Sequence, residues 1–335
     1  RQAEAALSVL AEVHRADPLA LEAYLHTALA WKAVGDRAAA SKAARRGIVI
    51  APGTFELYLQ LSGSKAAPEH RLDYVAWARY AVTLRPGNAD LWANLAVEFS
   101  QEYFSDAAIR AGKRAQLLDP LNEASHNGLA ADLYRSRYID DARRACYRGI
   151  IAYPYIAELK LIAAETELCH GNFEKGWALF EERLDPRMSP KRIALPPLWE
   201  NWEEDPGHLF IAAEQGIGDE YVFLSFLPLF AEKVKQLTIE CDERNLPLFT
   251  RSFPDHKFVA RHIRADEQGR AVFDYSNWPG RQDVDHAIFA GSLPGLFVRN
   301  AELPGPYGGY LKVDEMERAA WKAKFDQLSD KPKVG

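Results

Sequence analysis

Apolar residues recur three or four places apart through the first half of the chain, in helix-length blocks that end at regular intervals. Prolines stand at positions 18, 52, 86, 120 and 154, each 34 residues after the last and each at the end of a block. Aligned on that proline, Tyr24, Tyr58 and Trp92 share one bulky position. Ala28, Ser62, Ala96, Ala130 and Ala164 share a small one, and Ala40, Ala108 and Ala142 share a second. Small residues let two helices approach closely, and bulky ones fill the space between successive pairs. Gly35-Asp36 and Gly171-Asn172 supply the turn within a pair. The pattern predicts antiparallel helix pairs over residues 1–188: a partial first pair, whole pairs at 21–54, 55–88, 89–122 and 123–156, and a less regular one to about 188. Gly63 to Pro68 interrupt the second whole period and read as a tolerated loop.

The period is then lost. Residues 189–206 are rich in proline and charge without a period of 2 or 3.6, and read as a linker. Beyond them, short apolar runs at Leu209 to Ala213, Gln236 to Cys241, Lys257 to Arg261 and His286 to Phe289 read as strands. They alternate with helical stretches at Glu243 to Phe253 and Asp314 to Leu328. Such alternation predicts a parallel, doubly wound sheet over 207–330, with residues 331–335 opening a further strand at Lys333-Val334. The expected fold class is α plus α/β: a helical superhelix followed by one Rossmann-like parallel-sheet half-domain.

Composition narrows the function classes. A net charge of -6 offers no basic footprint for a nucleic acid. The longest apolar run, Tyr221 to Ala231, is too short to cross a bilayer, and no signal-peptide pattern is visible. Cys146, Cys169 and Cys241 fit no metal spacing and leave one thiol unpaired, so a reducing cytoplasm is expected. Both ends read as cut, since the chain starts at Arg1 inside a helical block.

The first 188 residues resemble the tetratricopeptide repeat family, whose stacked pairs curve around a concave face that holds peptides. Relatives that glycosylate proteins carry an asparagine ladder at the sixth position of each repeat. Here Asn94 falls on that register and Asn127 one place early, so side-chain recognition replaces a ladder. For both residues a groove contact and a solvated helix position stay open. The segments EQGIGDE (214–220), IECDERNLPLFTRSFP (239–254) and GSLP (291–294) resemble the N-terminal half of a glycosyltransferase found behind such repeats in bacterial proteins, and GWALFEER at 176–183 resembles the last repeat of the same group. That group is related to heptosyltransferases and O-linked GlcNAc transferases and includes proteins implicated in flagellin glycosylation. The resemblance implies a GT-B architecture, inverting chemistry without a metal, and a protein acceptor in the repeat groove, flagellin among the candidates. The sugar nucleotide would be held mainly by a second half beginning near Lys333, so this stretch is expected to hold no cofactor and to be inactive by itself.

The candidate site is the glycine loop from Glu214 to Asp219, between a predicted strand and helix, because open α/β sheets bind ligands at the carboxyl ends of their strands. An inverting transfer needs a base for the acceptor hydroxyl. The resemblance assigns that role to the aspartate of a Gly-Asp pair, matched by Gly218-Asp219, although Pro228 lies further on than the heptosyltransferase pattern places it. An N-cap at Asp219, its acidity raised by the helix dipole, is the competing reading. Glu214 would position the acceptor or bind loop backbone, and Glu220 reads as a surface residue of the first turn. Gln215, Gly216 and Gly218 shape the loop and offer amides to an acceptor. Ser292 is read as an N-cap or an acceptor contact.

Two rivals are weaker. Gly216-Ile217-Gly218 with Asp242 imitates a dinucleotide fingerprint, but Tyr221 fills the third glycine position. Like charges of Asp219 and Glu220 against a pyrophosphate would cost on the order of 4 kcal/mol. Asp283-Val284-Asp285 imitates a metal-binding DxD in the wrong sheet class and reads as solvated loop, so no metal ligand is assigned. A non-catalytic repeat scaffold with an α/β docking module is the alternative function.

Overall fold

The 34-residue period is realised as antiparallel helix pairs. The computed structural model describes residues 2–61, 71–200, 203–231, 233–234, 236–267, 269–299 and 309–327. Contacts divide the chain into two compact units, Arg1–Asn172 and Phe173–Gly335.

The first unit is a tetratricopeptide array. It contains α1 (Gln2–Ala16), α2 (Leu21–Val34), α3 (Arg37–Ile50), α4 (Phe55–Leu61), α5 (Arg71–Leu84), α6 (Ala89–Gln101), α7 (Ser105–Leu118), α8 (Glu123–Arg135), α9 (Ile139–Ala152) and α10 (Ala157–Cys169). Ala28, Ala40, Ala96, Ala108, Ala130, Ala142 and Ala164 are all buried at the helix crossings, as their spacing predicts. Ser62 and Gly63 to Pro68 lie outside the described residues. A further small position repeats at Gly47, Ala81, Ala115 and Gly149. A Cβ on Gly47 would stand 2.8 Å from the Leu57 side chain, and one on Gly149 would stand 2.7 Å from Leu159. Successive pairs therefore close on each other at that register.

Among the described residues, the turn between paired helices uses a left-handed residue at four positions of one register. Gly35 (φ 92°) and Gly171 (φ 77°) fill it in two repeats, where the absent Cβ removes the steric cost. At the same register Tyr103 (φ 60°) and Arg137 (φ 64°) adopt it without that relief.

The second unit carries two sheets. Its strands are β1 (Lys191–Ile193), β2 (His208–Ala212), β3 (Gln236–Cys241), β4 (Lys257–Ala260), β5 (Ile263–Ala265), β6 (Ala271–Asp274) and β7 (His286–Phe289). The larger sheet has order β4-β3-β2-β7 and is parallel throughout, with Leu209 opposite Leu237 on one side and His286 on the other. Its central strand is apolar on both faces, as a covered parallel strand must be. Leu209 and Ile211 face a core with Ile239, Phe230 and Phe249, whereas Phe210 and Ala212 face Phe273, Tyr275 and Trp278.

Helices α11 (Phe173–Phe180), α12 (Ile217–Phe223), α13 (Leu227–Ala231), α14 (Leu246–Ser252), α15 (Leu293–Arg299) and α16 (Glu315–Asp326) complete the unit. The boundary falls earlier than the repeat period suggests. Trp177 and Phe180 of α11 pack on the core of the larger sheet, which joins 173–188 to the α/β unit. The stretch read as linker begins with β1, which pairs with β6 in a second sheet of order β1-β6-β5. Lys333-Val334 lies outside the described residues.

Candidate functional site

β2 pairs with β3 on one side and with β7 on the other, so the chain reverses its direction of sheet growth at β2. Such a switch point opens a crevice at the carboxyl ends of the two diverging strands. Here the loops after β2 and β7 meet around the Arg183 guanidinium, from the 3-10 turn Glu181–Leu184. Arg183 forks onto both oxygens of Glu214 at 2.8 Å each, and Glu214 also accepts from the Gly291 amide at 2.6 Å. Ser292 Oγ accepts from Arg183 at 2.8 Å and donates to Glu181 at 2.9 Å. Arg183 and Glu214 are both buried. Burial by itself lowers the Arg183 pKa, but the hydrogen bonds and charges of Glu214 and Glu181 outweigh it and raise the value.

Glu214 binds loop backbone, as one of its two readings expects, and adds an ion pair, so that both of its oxygens are engaged inside the unit. Ser292 ends a 3-10 turn, Ala290–Ser292, directly before α15, and its hydroxyl is engaged by Arg183 and Glu181.

The glycine loop sits one residue further on. Gln215 takes a left-handed φ of 57° and its carbonyl accepts from Arg261 Nη1 at 3.0 Å. Helix α12 starts at Ile217, so Gly216 is the N-cap and Asp219 stands at the third helical position. Asp219 Oδ2 reaches back to the Gly216 amide at 2.8 Å, satisfying an orphan donor that glycine has no side chain to help with. The N-cap reading of Asp219 is thus displaced by three residues. Gln215, Gly216 and Gly218 are exposed, and Asp219 is half-buried with Oδ1 unpartnered among the described residues.

Glu220 corrects the sequence reading outright: it is buried, not a surface residue. Its carboxylate accepts from the Asp242 amide (2.8 Å), Asn245 Nδ2 (2.7 Å) and Arg261 (3.0 and 2.6 Å). Arg261 therefore links Glu220 to the Gln215 carbonyl and braces the loop. Asp242 is chelated by Arg244, whose hydrogen bonds hold its carboxyl down at about 2. That pairing leaves it no ribose-binding role. Asp285 accepts from the His208 amide at 2.8 Å.

Glu240, on β3, is a third buried carboxylate. It accepts from the Ala213 amide (3.0 Å), the Tyr275 hydroxyl (3.0 Å) and the His262 amide (3.1 Å), with Arg192 at 3.8 Å. Burial first and the neighbouring Glu240 charge second push the Tyr275 hydroxyl up. The imidazole of His262 stands at the end of β4, with Nδ1 3.8 Å from Glu240 and no hydrogen-bond partner among the described residues. Its proximity to the strand ends is a feature that sequence spacing did not reveal. The sole signal available was a histidine directly after a strand.

In the array, Asn94 on α6 and Asn127 on α8 are both half-buried and lack a side-chain partner among the described residues. Among the described residues no group of three or more His, Cys, Asp or Glu side chains is placed to hold a metal. No described helix is long and apolar enough to cross a membrane.

No protein-family model matches the chain. Protein FlbA of Caulobacter vibrioides (strain ATCC 19089 / CIP 103742 / CB 15) is 32% identical over 187 residues, 54% of this chain and 31% of FlbA. The chain thus spans about a third of the length of that curated relative. Among solved structures, YrrB, a TPR protein with an unusual peptide-binding site, aligns with a TM-score of 0.42 and 15% identity, covering 52% of this chain and 91% of YrrB. PilW, a type IV pilus biogenesis factor, aligns with a TM-score of 0.48 and 15% identity over 54% of this chain and 84% of PilW.

Proposed function

We propose that the protein carrying this chain transfers a sugar from a nucleotide donor to a protein acceptor. The tetratricopeptide array selects the acceptor, with flagellin among the candidates, and the α/β unit presents the strand-end loop 214–216 and the first turn of α12, which carries Asp219, to the reaction. In this reading Asp219 takes the proton of the acceptor hydroxyl as that oxygen attacks the anomeric carbon. The nucleoside diphosphate departs with the bonding pair, and the anomeric configuration inverts without a metal. The observation that carries the reading is the exposed loop at the end of the central parallel strand, where Asp219 keeps one oxygen unpartnered among the described residues. Gln215, Gly216 and Gly218 beside it leave the acceptor room to approach.

A second reading, a non-catalytic repeat scaffold with an α/β docking module, is favoured by a different observation. Glu214, Glu220 and Glu240 at the strand ends are all consumed by internal bonds. The two readings part in an assay of the full-length protein with a panel of radiolabelled sugar nucleotides and candidate acceptors. The transferase reading expects turnover in the wild type and its loss in Asp219→Asn, which keeps an oxygen for the Gly216 amide but removes the base. Undiminished turnover by Asp219→Asn would sink the assigned base, and absence of turnover with every donor favours the scaffold.

A further inference from the structure

Between α7 and α9, over α8, the array holds a cavity of about 430 Å³. Its apolar surface comes from Leu117, Leu129 and Leu133, and Lys113 and Arg148 stand on opposite sides of it. Both cations are exposed and have no acidic partner among the described residues, while Asp141 on the same wall is bonded to Arg144 at 2.6 Å. Leu117 is 76% exposed, an apolar lip open to solvent.

The preceding repeat shows why the groove is open here. One period earlier, the positions of Lys113, His126 and Leu133 are taken by Arg79, Trp92 and Phe99. There the Arg79 guanidinium lies over the Phe99 ring, 5.2 Å from its centroid, so that cation and ring occupy each other. Replacement of Phe by Leu removes one ring, and replacement of Trp by His puts a smaller ring in place of an indole at the corresponding position. A lysine without a ring to stack on does not fill the gap.

We propose that this groove binds an acidic peptide through one bulky aromatic side chain, with flanking carboxylates paired to Lys113 and Arg148. The anchor replaces the ring that the neighbouring repeat supplies from its own chain. An apolar pocket with a cationic rim rewards that combination over either element alone. The site lies against the second helices of the repeats and is separate from the Asn94 and Asn127 register. It rests on the reading of the array as a protein-binding module, and it is independent of whether the α/β unit transfers sugar.

The test uses the whole chain and a fluorescein-labelled peptide of alternating Glu and Asp around a central Trp, read by anisotropy. The expected result is saturable binding that weakens as salt rises, because the rim charges are solvent-exposed. Replacing the peptide Trp by Ala should cost about tenfold or more in affinity, as should replacing its acids by Lys. Lys113→Glu with Arg148→Glu, and separately Leu133→Phe, should each reduce affinity by a similar factor. Because Leu133 is buried, Leu117→Asp at the exposed lip provides a second probe whose unchanged melting curve verifies the fold. Equal binding of the Trp and Ala peptides would mean charge attraction alone and would overturn the proposal. Unchanged affinity in the lip and rim variants would move binding elsewhere on the array, and no binding at all would likewise overturn the groove. None of these results bears on turnover, so the transferase reading stands or falls separately.

Discussion

Trp92 donates its indole N–H to the carbonyl of Pro86, six residues back, at 2.9 Å. Tyr24 makes the same bond to Pro18 and Tyr58 to Pro52, both at 2.9 Å, and His126 Nε2 lies 2.9 Å from the Pro120 carbonyl. A ring nitrogen facing a carbonyl must carry the proton, so His126 is held as the Nε2–H tautomer. The bulky fourth position thus ties these four pairs to the turns that precede them as well as filling space. Trp92→Phe keeps a ring but removes the donor. It should lower stability by about 0.5–1.5 kcal/mol, measured as a shift in urea midpoint at unchanged slope.

The left-handed turn offers a contrast within one molecule. Gly35→Ala should destabilise the array by about 1 kcal/mol, whereas Arg137→Gly should not destabilise it and should gain on the order of 0.5 kcal/mol. Equal losses in the two variants would show that the turn tolerates side chains for another reason. Thermal melts of both variants provide the comparison.

Removal of Arg183 leaves Glu214 buried without its cation, and removal of Glu214 leaves the buried Arg183 with the half-buried Glu181, 2.9 Å away, as its remaining counter-ion. Glu214→Gln or Arg183→Met should each cost about 3–5 kcal/mol in the α/β unit, and the double replacement by Met should recover much of it. A double-mutant cycle on unfolding free energies measures the coupling.

Two glycines near the loop should respond oppositely. A Cβ on Gly291 would meet Glu214 Oε1 at 2.7 Å and Arg183 Nε at 2.9 Å, so Gly291→Ala should destabilise the unit. A Cβ on Gly218 meets nothing within 4 Å. Gly218→Ala should therefore melt as the wild type does, and a loss of transfer in that variant would report acceptor approach to the loop.

Acid should act differently on the two units. Hydrogen bonds from Arg244 hold Asp242 down at about 2, and hydrogen bonds from Arg264 and Ser276 hold Asp274 at about 2. A carboxylate whose folded pKa lies below its unfolded value stabilises the fold above the ordinary carboxylate range, and that contribution is lost as pH falls toward 2. Burial raises Asp132 and Glu165 in the array, which therefore favour folding as protons are taken up. Between about pH 5 and 2 the α/β unit should lose stability faster than the array, and Asp242→Asn with Asp274→Asn should flatten its slope. Parallel slopes in the double variant and the wild type would contradict the assignment.

The array was legible because its signal is long: five prolines and eight small residues on one period outweigh any local ambiguity. β2, β3, β4 and β7 were legible as short runs bounded by turns. β1, β5 and β6 were not, since three or four residues of mixed polarity are too short for a period to show. The loop after β2 was expected to reach Asp219, yet it ends at Gly216 and Gly218 lies in the first turn of α12; the helix start was set three residues late because glycine gives no side-chain capping signal. Glu220 was misplaced because its partners, Asn245 and Arg261, are 25 and 41 residues away. Arg183 and Glu214 stand 31 residues apart, and nothing in local spacing connects them.

The position of Arg183 also bears on how such a protein can be recombined. A splice placed where the repeats end by periodicity, at 188, would carry the cation away with the array and leave Glu214 buried in the other piece. An exchange at 172 keeps the guanidinium with the sheet it closes. The exchangeable unit on the α/β side therefore begins sixteen residues before the end of the repeat period suggests.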